Sequence, residues 1–447
     1  MTKELTDGNP GKLIINFALP VLVGYLFQQF YNVADTVIVG KFLSVEDLAA
    51  VGSTGSVSFL ILGFCMGITA GFAIPIAQCF GARDYSKMRQ FYYNAIVLTV
   101  VFSILYAILT VVLCKPLLRV MQTPENIIDH ASDYIVIIFA GIPFGFLYNL
   151  TSGVIRSLGD SKTPLYFLLF SSFLNIVLDL FFILVVKAGV QGAAYATVIS
   201  QGVSGILCFI FIKKKFAILK LQKEDKIFSF YLCKKLCGMG IPMGLQYSIT
   251  AIGSVILQSA INGLGSAAVA STTVGLRVIQ FFACPFDALG TTMATYAGQN
   301  IGAKKIKRLK TGLCSACIIG FIYSACAFLF LFFFGGKLAL LFLDSSQTEI
   351  IKNAHQFLIS NSIFYFALTL VNSVRFMIQG MGFSTLSILA GVFEMIARAL
   401  FGFAFVPVIG FYAVTFASPC AWIFADAFLI PAFIFCYKKL KKQFPQE

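Results

Sequence analysis

Twelve long apolar runs, separated by short polar breaks, constrain this 447-residue chain more than any other feature. A helix needs roughly 20 apolar residues to cross a bilayer, and every run is at least that long. Strands of a transmembrane barrel would instead alternate in polarity over about ten residues. The sequence therefore predicts an all-α integral membrane protein with twelve transmembrane helices. The runs are 13–39, 48–79, 91–114, 134–156, 165–187, 190–212, 234–261, 268–299, 311–334, 354–378, 385–408 and 411–436.

Composition excludes a soluble protein. Apolar residues make up 59% of the chain and charged residues only 12%, whereas soluble chains average about 25% charged residues. The basic residues are also unequally distributed, with 25 of the 33 Lys and Arg in breaks on the N-terminal side of the membrane and six on the other. Because cytoplasmic loops are enriched in Lys and Arg, both termini of this multi-pass cell-membrane protein are predicted to be cytoplasmic. The net charge of +14 thus reflects topology and does not indicate a nucleic-acid partner.

Landmarks in the sequence recur at an offset of about 222 residues. Each half carries six runs, and an even number brings both halves into the membrane from the same side. The sequence therefore predicts a parallel repeat of two six-helix lobes, the architecture of transporters whose substrate cavity lies between rocking lobes. The N-lobe is 1–212, the cytoplasmic linker is 213–231, and the C-lobe with a short basic tail is 232–447. The repeated landmarks are Leu19-Pro20 and Ile241-Pro242, Gln78-x-x-Gly81-Ala82 and Gln299-x-x-Gly302-Ala303, and Ile155–Gly159 and Ile378–Gly382.

Two acids of the first half lie deep in the predicted bilayer. Asn175 and Asp179 are four residues apart, so they share one helix face. At 1.5 Å per residue, Asp179 lies roughly 22 Å from the cytoplasmic surface, and Thr197 lies roughly 10 Å from the opposite surface, which is the same level. Asp35 reaches this level if its helix tilts or bends at Pro20, a predicted hinge. These four polar side chains are predicted to converge on a site for a proton or a hard monovalent cation such as Na⁺.

Intramembrane acids also have a structural interpretation, because polar side chains hold transmembrane helices together. Asn or Ser would do so without the roughly 2.5–3.5 kcal/mol that a charge costs at mid-bilayer, which favours a functional role for the first-half pair. In the second half, Glu394 and Arg398 are four residues apart and are predicted to form an ion pair. Asp287 and Arg277 are secondary candidates in the C-lobe, and the sequence does not interpret Asp426.

The chain resembles the MATE (multidrug and toxic compound extrusion) family over essentially its full length. The most specific element is Gly153–Pro164, which has the form G-x-x-R-x-x-G-D-x-K-T-P. The other matching residues are Pro20, Asp35-Thr36, Val39-Gly40, Ala49–Gly52, Gln78, Gly81–Arg83, Asn175, Asp179, Gly192–Thr197 and Gln299–Ala303.

The resemblance implies a secondary active multidrug exporter, which antiports cationic or amphipathic organic compounds against Na⁺ or H⁺ by alternating access. It implies that the first-half polar set is the cation-coupling site, with Tyr134 as a neighbour. Some family members carry an acid in the seventh span, where this chain has Gln246 and Gln258. The expected partners are small-molecule substrates and the lipid bilayer, the expected state is a monomer, and no cofactor or metal is expected beyond the coupling ion.

Two alternatives remain. A lipid-linked saccharide flippase of related two-lobe architecture would need a strongly basic cavity for a pyrophosphate, whereas only Arg277 and Arg398 are predicted to be intramembrane arginines. An integral membrane transferase would need a His or an Asp-rich metal motif at a membrane surface, and His130 and His355 form no such cluster. No Walker loop is present, so the sequence favours a cation-coupled transporter that is not an enzyme.

Overall fold

The polypeptide folds entirely into helices and their connections. In the computed structural model, which describes residues 3–121 and 123–444, no strand occurs in either range. The prediction of an all-α fold is confirmed. The α-helices are α1 (Pro10–Phe42), α2 (Val45–Ser53), α3 (Gly55–Gly81), α4 (Tyr85–Val112), α5 (Cys114–Val120), α6 (Ile128–Ala140), α7 (Ile142–Ser157), α8 (Lys162–Leu180), α9 (Gly189–Lys215), α10 (Phe230–Asn262), α11 (Ser266–Gly302), α12 (Ile306–Ala339), α13 (Thr348–Ile363), α14 (Tyr365–Gly380), α15 (Ser384–Leu400), α16 (Val406–Ile409) and α17 (Phe411–Gln443).

Ten helical segments of the described chain are long and apolar enough to cross a membrane, and two bent helix pairs raise the number to twelve. The pair α6 and α7 bends by 45°, and the pair α13 and α14 bends by 51°. At the first bend Pro143 lies in the first turn of α7, where it lacks the N–H that would continue the α6 ladder. A side chain at Gly141 would also collide with Val198, because its Cβ would lie 2.3 Å from a Val198 methyl group. The predicted twelve-helix membrane fold is confirmed.

Local backbone geometry repeats between the two halves. Left-handed backbone conformations recur at turns 221–223 residues apart, with closely similar φ values in each pair. A short π-helical segment also follows α8 at Phe181–Val185 and α15 at Phe401–Phe405. The paired turn residues are Arg83 and Lys304, Gly159 and Gly382, and Gly189 and Gly410.

The most specific sequence motif forms the turn between α7 and α8. Gly159 has φ +84°, and a Cβ there would lie 1.8 Å from the carbonyl oxygen of Lys3. Both the left-handed backbone and the close approach of Lys3 therefore require glycine. Asp160 then caps α8 by accepting hydrogen bonds from the backbone N–H groups of Lys162 and Thr163, both at 3.0 Å. The motif is therefore a helix-capping turn.

Packing divides the chain into two units whose boundaries fall inside helices. The first unit is Met1–Glu4 and Val23–Ser248, and the second is Leu5–Leu22 and Ile249–Glu447. The boundaries thus lie within α1 and α10, near the proline that each helix contains. The lobe limits predicted from the sequence follow the repeat and stay a prediction.

Candidate functional site

Four helices of the first unit supply the predicted cation site. Asp35 is on α1, Tyr134 on α6, Thr197 on α9, and α8 carries both Asn175 and Asp179. The structure places Asp35, Asp179 and Tyr134 within interaction range of one another. Asn175, one turn before Asp179 on α8, hydrogen-bonds to Thr197.

The carboxyl groups of Asp35 and Asp179 lie within hydrogen-bonding reach of each other. Asp179 is fully buried and Asn175 is 2% exposed. The side-chain amide of Asn175 donates a hydrogen bond of 3.4 Å to the Thr197 hydroxyl oxygen, which joins α8 to α9. The amide oxygen of Asn175 receives no hydrogen bond from the described residues and can accept one.

Several oxygen atoms of this site have no donor. Asp35 Oδ1, Asn175 Oδ1 and both carboxylate oxygens of Asp179 are buried and receive no hydrogen bond from the described residues. Buried acceptors are normally satisfied, because leaving one unsatisfied costs roughly 1–3 kcal/mol and more for a charged group. A shared proton would give one carboxyl a donor, and a bare cation would bind several of the oxygens. The arrangement thus has the chemistry of a cation or proton site.

Two tyrosines border the carboxyl pair. Tyr134 lies close enough to Asp35 and Asp179 to interact with both electrostatically. Tyr31 does the same, and its hydroxyl adjoins the side-chain amides of Gln28 and Gln201. Sequence reasoning missed Tyr31, although it lies one turn before Asp35 on the same helix face.

An apolar layer covers one side of the site. Ile38 and Val39, one turn beyond Asp35, pack with Ile183 and Ala193 and contact Tyr134. The π-helical segment that contains Ile183 begins two residues after Asp179. Single π-turns in α-helices occur frequently at functional sites, where they re-aim neighbouring side chains. This layer keeps water away from the carboxyl pair on that side.

The second unit contains a different cluster of buried charges. Glu394 forms an ion pair with Arg375, and its other carboxylate oxygen lies 3.4 Å from Arg398 Nη2. All three side chains are at most 8% exposed. The predicted pair of Glu394 and Arg398 is confirmed, and Arg375 of α14 is a second partner that the sequence did not reveal.

The 25 basic residues assigned to the N-terminal side of the membrane include Arg375, close to the end of the run 354–378. The structure buries it at 6% exposure, five residues before the end of α14. The signal was available, since only uncharged residues flank Arg375 for more than 15 positions on either side.

The remaining acids of the second unit lie near this network. Asp287 and Asp426 are both within electrostatic reach of Arg375, and Asp426 also of Glu394. Asp426 Oδ1 is buried without a hydrogen-bond donor among the described residues. Arg277 on α11 is exposed and lies outside this network. The second-unit candidates therefore divide into a compensated charge network and one exposed arginine.

Pro20, the predicted hinge, lies inside α1, which continues as one helix from Pro10 to Phe42. Its ring removes one intrahelical hydrogen bond, because proline has no N–H to donate to the carbonyl of Asn16. Whether the helix bends there during transport stays a prediction.

Comparison with known proteins gives concordant matches. The MatE family profile matches residues 20–181 and 242–404, one match in each half. The "Probable multidrug resistance protein YpnP" of Bacillus subtilis is 34% identical over 307 residues, which are 68% of either chain. The "Probable multidrug resistance protein YoeA" of the same organism is 29% identical over 76% of this chain and 75% of its own.

A solved structure, "Crystal structure of MATE in complex with MaL6", superposes with a TM-score of 0.90 at 25% identity. The match covers 99% of this chain and 100% of that one. The fold, the profile matches in both halves and the named relatives all indicate the same family. The chain therefore belongs to the MatE family of multidrug efflux transporters and is not an enzyme.

Proposed function

We propose that this chain exports cationic or amphipathic organic compounds by antiport against H⁺ or Na⁺, with the coupling ion bound between Asp35 and Asp179. The observation that carries the proposal is the buried carboxyl pair, three of whose four oxygens receive no hydrogen bond from the described residues. Two carboxylates so close together in a poorly hydrated site do not both ionise without a counter-ion. The site therefore has two stable conditions, one with the coupling ion bound and one in which a cationic substrate compensates the charge.

Antiport requires that ion and substrate are not bound productively at once. A ligand shifts a conformational equilibrium only through its different affinity for the two states. Entry of the coupling ion removes negative charge from the α1, α8 and α9 interface, which lowers the affinity for a cationic compound. The same neutralisation lets these helices pack differently, and the predicted hinge at Pro20 would adapt α1 to that change.

The direct approach of the two carboxyl groups supports H⁺ as the coupling ion. A single proton between Asp35 and Asp179 accounts for their close contact, whereas a sodium ion would hold the oxygens apart at about 2.4 Å from itself. The amide oxygen of Asn175 and the hydroxyl of Thr197 still offer ligands to Na⁺. Both ions therefore belong in the test.

The buried arginines do not favour the flippase alternative. A pyrophosphate site needs a strongly basic, accessible cavity, whereas Arg375 and Arg398 share the carboxylate of Glu394 and are at most 8% exposed. The relatives named for multidrug resistance support export of organic compounds. We further propose that the transporter works as a monomer in the cell membrane, because the ion site lies wholly within one unit of one chain. The distribution of Lys and Arg supports cytoplasmic termini.

The test replaces Asp35 or Asp179 by Asn, which keeps the size and hydrogen-bonding capacity but fixes the neutral state. We expect both variants to insert normally and to lose gradient-driven efflux, since the removed charge is what the ion compensates. Asp344→Asn, an exposed acid in a connection of the second unit, is the matched control. The measurement is the initial rate of ethidium efflux per transporter in proteoliposomes, under an imposed proton or sodium gradient alone.

The gradient that drives wild-type efflux identifies the coupling ion. Wild-type rates in both Asn variants would place the coupling site elsewhere, and Asp287 and Asp426 would become the candidates. Equal loss in Asp344→Asn would show that the assay responds to net charge.

A further inference from the structure

The segment that joins the two halves displays large apolar side chains. Ile227, Phe228, Phe230 and Tyr231 are 59%, 58%, 78% and 61% exposed. Phe230 and Tyr231 begin α10, which is a membrane span, so these side chains lie where the span meets the membrane surface. Aromatic residues are enriched at this level because their rings suit the region of the lipid headgroups.

This run is held in place by a buried asparagine of α4. Asn94 is fully buried, and its amide donates a hydrogen bond of 3.1 Å to the carbonyl oxygen of Ile227. Its side-chain oxygen accepts hydrogen bonds from the backbone N–H of Ser229 at 3.0 Å and the thiol of Cys233 at 3.4 Å. The Asn94 side chain thus bonds to the backbone at the start and in the middle of the run, so the apolar side chains are exposed from an anchored backbone.

A second anchor lies a few residues earlier. Asp225 is 1% exposed and accepts a hydrogen bond of 2.6 Å from Arg89 Nε. Phe216 and Leu219 of the same linker are also buried, at 2% and 3% exposure. The linker is therefore packed against the first unit through its buried residues. The exposed side chains of the apolar run take no part in that packing.

Uncompensated positive charge surrounds the apolar run. All eight lysines between 213 and 235 are exposed, and the ion pair of Asp225 with Arg89 is the one recorded for the described residues of this segment. Lys235 Nζ lies 4.6 Å from the centroid of the Tyr231 ring. Lys87, from the start of α4, also acts electrostatically on the Tyr231 hydroxyl. The Lys235 ammonium group thus lies against the Tyr231 ring, next to Phe230 in the sequence, and Lys87 adds a second positive charge within electrostatic range of the Tyr231 hydroxyl.

We propose that Lys87, Phe230, Tyr231 and Lys235, here called the interfacial patch, bind an anionic phospholipid of the adjoining leaflet. The headgroup phosphate would receive hydrogen bonds from the two ammonium groups and from the Tyr231 hydroxyl. Phe230 would contact the glycerol and upper acyl region. The combination of basic and aromatic side chains at a span end matches this ligand, because the phosphate is anionic and the part beneath it is apolar.

A free phosphate would use the two lysines but would leave the exposed apolar run without a partner. A zwitterionic lipid would cover the apolar run but would bring a cationic group next to the lysines. An anionic phospholipid satisfies both observations, which is why the proposal commits to it.

The experiment titrates purified transporter in detergent with phosphatidylglycerol or phosphatidylcholine and counts bound lipids by native mass spectrometry. We expect phosphatidylglycerol to bind more tightly. The double variant Lys87→Gln/Lys235→Gln should weaken that binding by about 30-fold, since each lysine near an anionic membrane surface contributes about fivefold. Binding of phosphatidylcholine should not change. Phe230→Ser, at an exposed position, should weaken binding of both lipids.

The matched control is Lys307→Gln/Lys310→Gln, which removes the same charge from exposed positions of α12. It should change the affinity for phosphatidylglycerol by less than twofold. Equal weakening by both double variants would overturn the proposal in favour of general charge attraction. Equal wild-type affinity for the two lipids would also overturn it, as would displacement of phosphatidylglycerol by millimolar inorganic phosphate.

Discussion

At the scale of single residues, the Glu394 carboxylate pairs with two buried arginines, Arg375 and Arg398. Removing one partner of a buried ion pair is strongly destabilising, by about 3–5 kcal/mol, because the other charge is left uncompensated. Glu394→Gln should therefore lower the apparent Tm in detergent and the yield of folded protein. Arg375→Gln in the same chain should restore part of the loss.

Asp129→Asn serves as the control for this prediction. Asp129 pairs with Lys115 at 3.1 Å, but both side chains are more than half exposed. Exposed pairs contribute less than about 1 kcal/mol, so the Tm should hardly change. An unchanged Tm in Glu394→Gln would mean that the arginines do not depend on this carboxylate.

Residue-scale prediction succeeded where helix geometry and depth were sufficient. Asn175, Asp179 and Thr197 could be placed at one level because rise per residue fixes their depth in the bilayer, whereas Asp35 required a tilt or a bend of its helix. The uncharged flanks of Arg375 were compatible with burial, but its place near the end of its run is equally compatible with the membrane surface, and its partner Glu394 could not be predicted. Which side chains surround a residue is a property of helix packing, and a single sequence does not contain it.

At the scale of helices, α3 and α10 make an unusually close contact through glycine. A Cβ at Gly71 would lie 2.5 Å from Gly240 Cα, and a Cβ at Gly67 would lie 2.6 Å from Gly244 Cα. Small residues let backbones of membrane helices approach in this way. Gly71→Ala should therefore lower the apparent Tm, because overpacking costs about 1–3 kcal/mol and outweighs the helix propensity gained.

Gly238→Ala is the matched control on α10, since no atom lies within 4 Å of its added Cβ. It should leave the Tm unchanged or raise it slightly. A stable Gly71→Ala variant would show that the two helices separate at little cost.

The docked linker gives a pH-dependent prediction at the same scale. Burial alone would raise the pKa of Asp225, but the hydrogen bond from Arg89, the backbone N–H of Gln222 and the positive charge of Arg89 leave the pKa below its ordinary value. A carboxyl group whose pKa is lowered on folding stabilises the docked state above its ordinary pKa of about 3.9. That stabilisation is lost as the pH falls further, through the folded pKa.

Hydrogen exchange of the amides in 222–229, corrected for intrinsic rates, should thus show constant protection from neutral pH to about pH 5 and a decline below the ordinary pKa. Asp225→Asn should lose the same protection at neutral pH. Glu224→Gln, at the exposed neighbouring acid, should not. Unaltered protection in Asp225→Asn would remove the Arg89 pair as the anchor.

Hydropathy predicted where the spans lie but not how they are broken. The hydropathy of the run 134–156 gave no sign that Gly141 separates α6 from α7, although Pro143 in this run is a signal for a break that the prediction did not use. The run 165–187 likewise concealed the π-helical segment after α8. Hydropathy reports the average environment of a segment, so it does not reveal a local change in backbone geometry.

At the scale of the whole molecule, the fold is duplicated but its chemistry is not. Bent pairs, π-helical segments and left-handed turns recur in both halves. The first unit, however, holds an acid pair without a buried cation among the described residues, and the second holds a carboxylate compensated by two arginines. An uncompensated site responds to an added proton or cation, so this asymmetry supports ion coupling in the first unit.

Orientation in the membrane is the last property that the charges predict. Burial of Arg375 removes one residue from the basic count on the N-terminal side, which leaves the asymmetry large. A single cysteine replacing Lys220 of the linker should be inaccessible to a membrane-impermeant maleimide in intact cells, in a background without native cysteines. A cysteine replacing Lys352 of α13 should be labelled, because it lies on the opposite side. Both positions carry side chains exposed in the structure, so both should react after permeabilisation. Labelling of the linker position in intact cells, with no labelling at position 352, would reverse the predicted topology and place the interfacial patch in the outer leaflet.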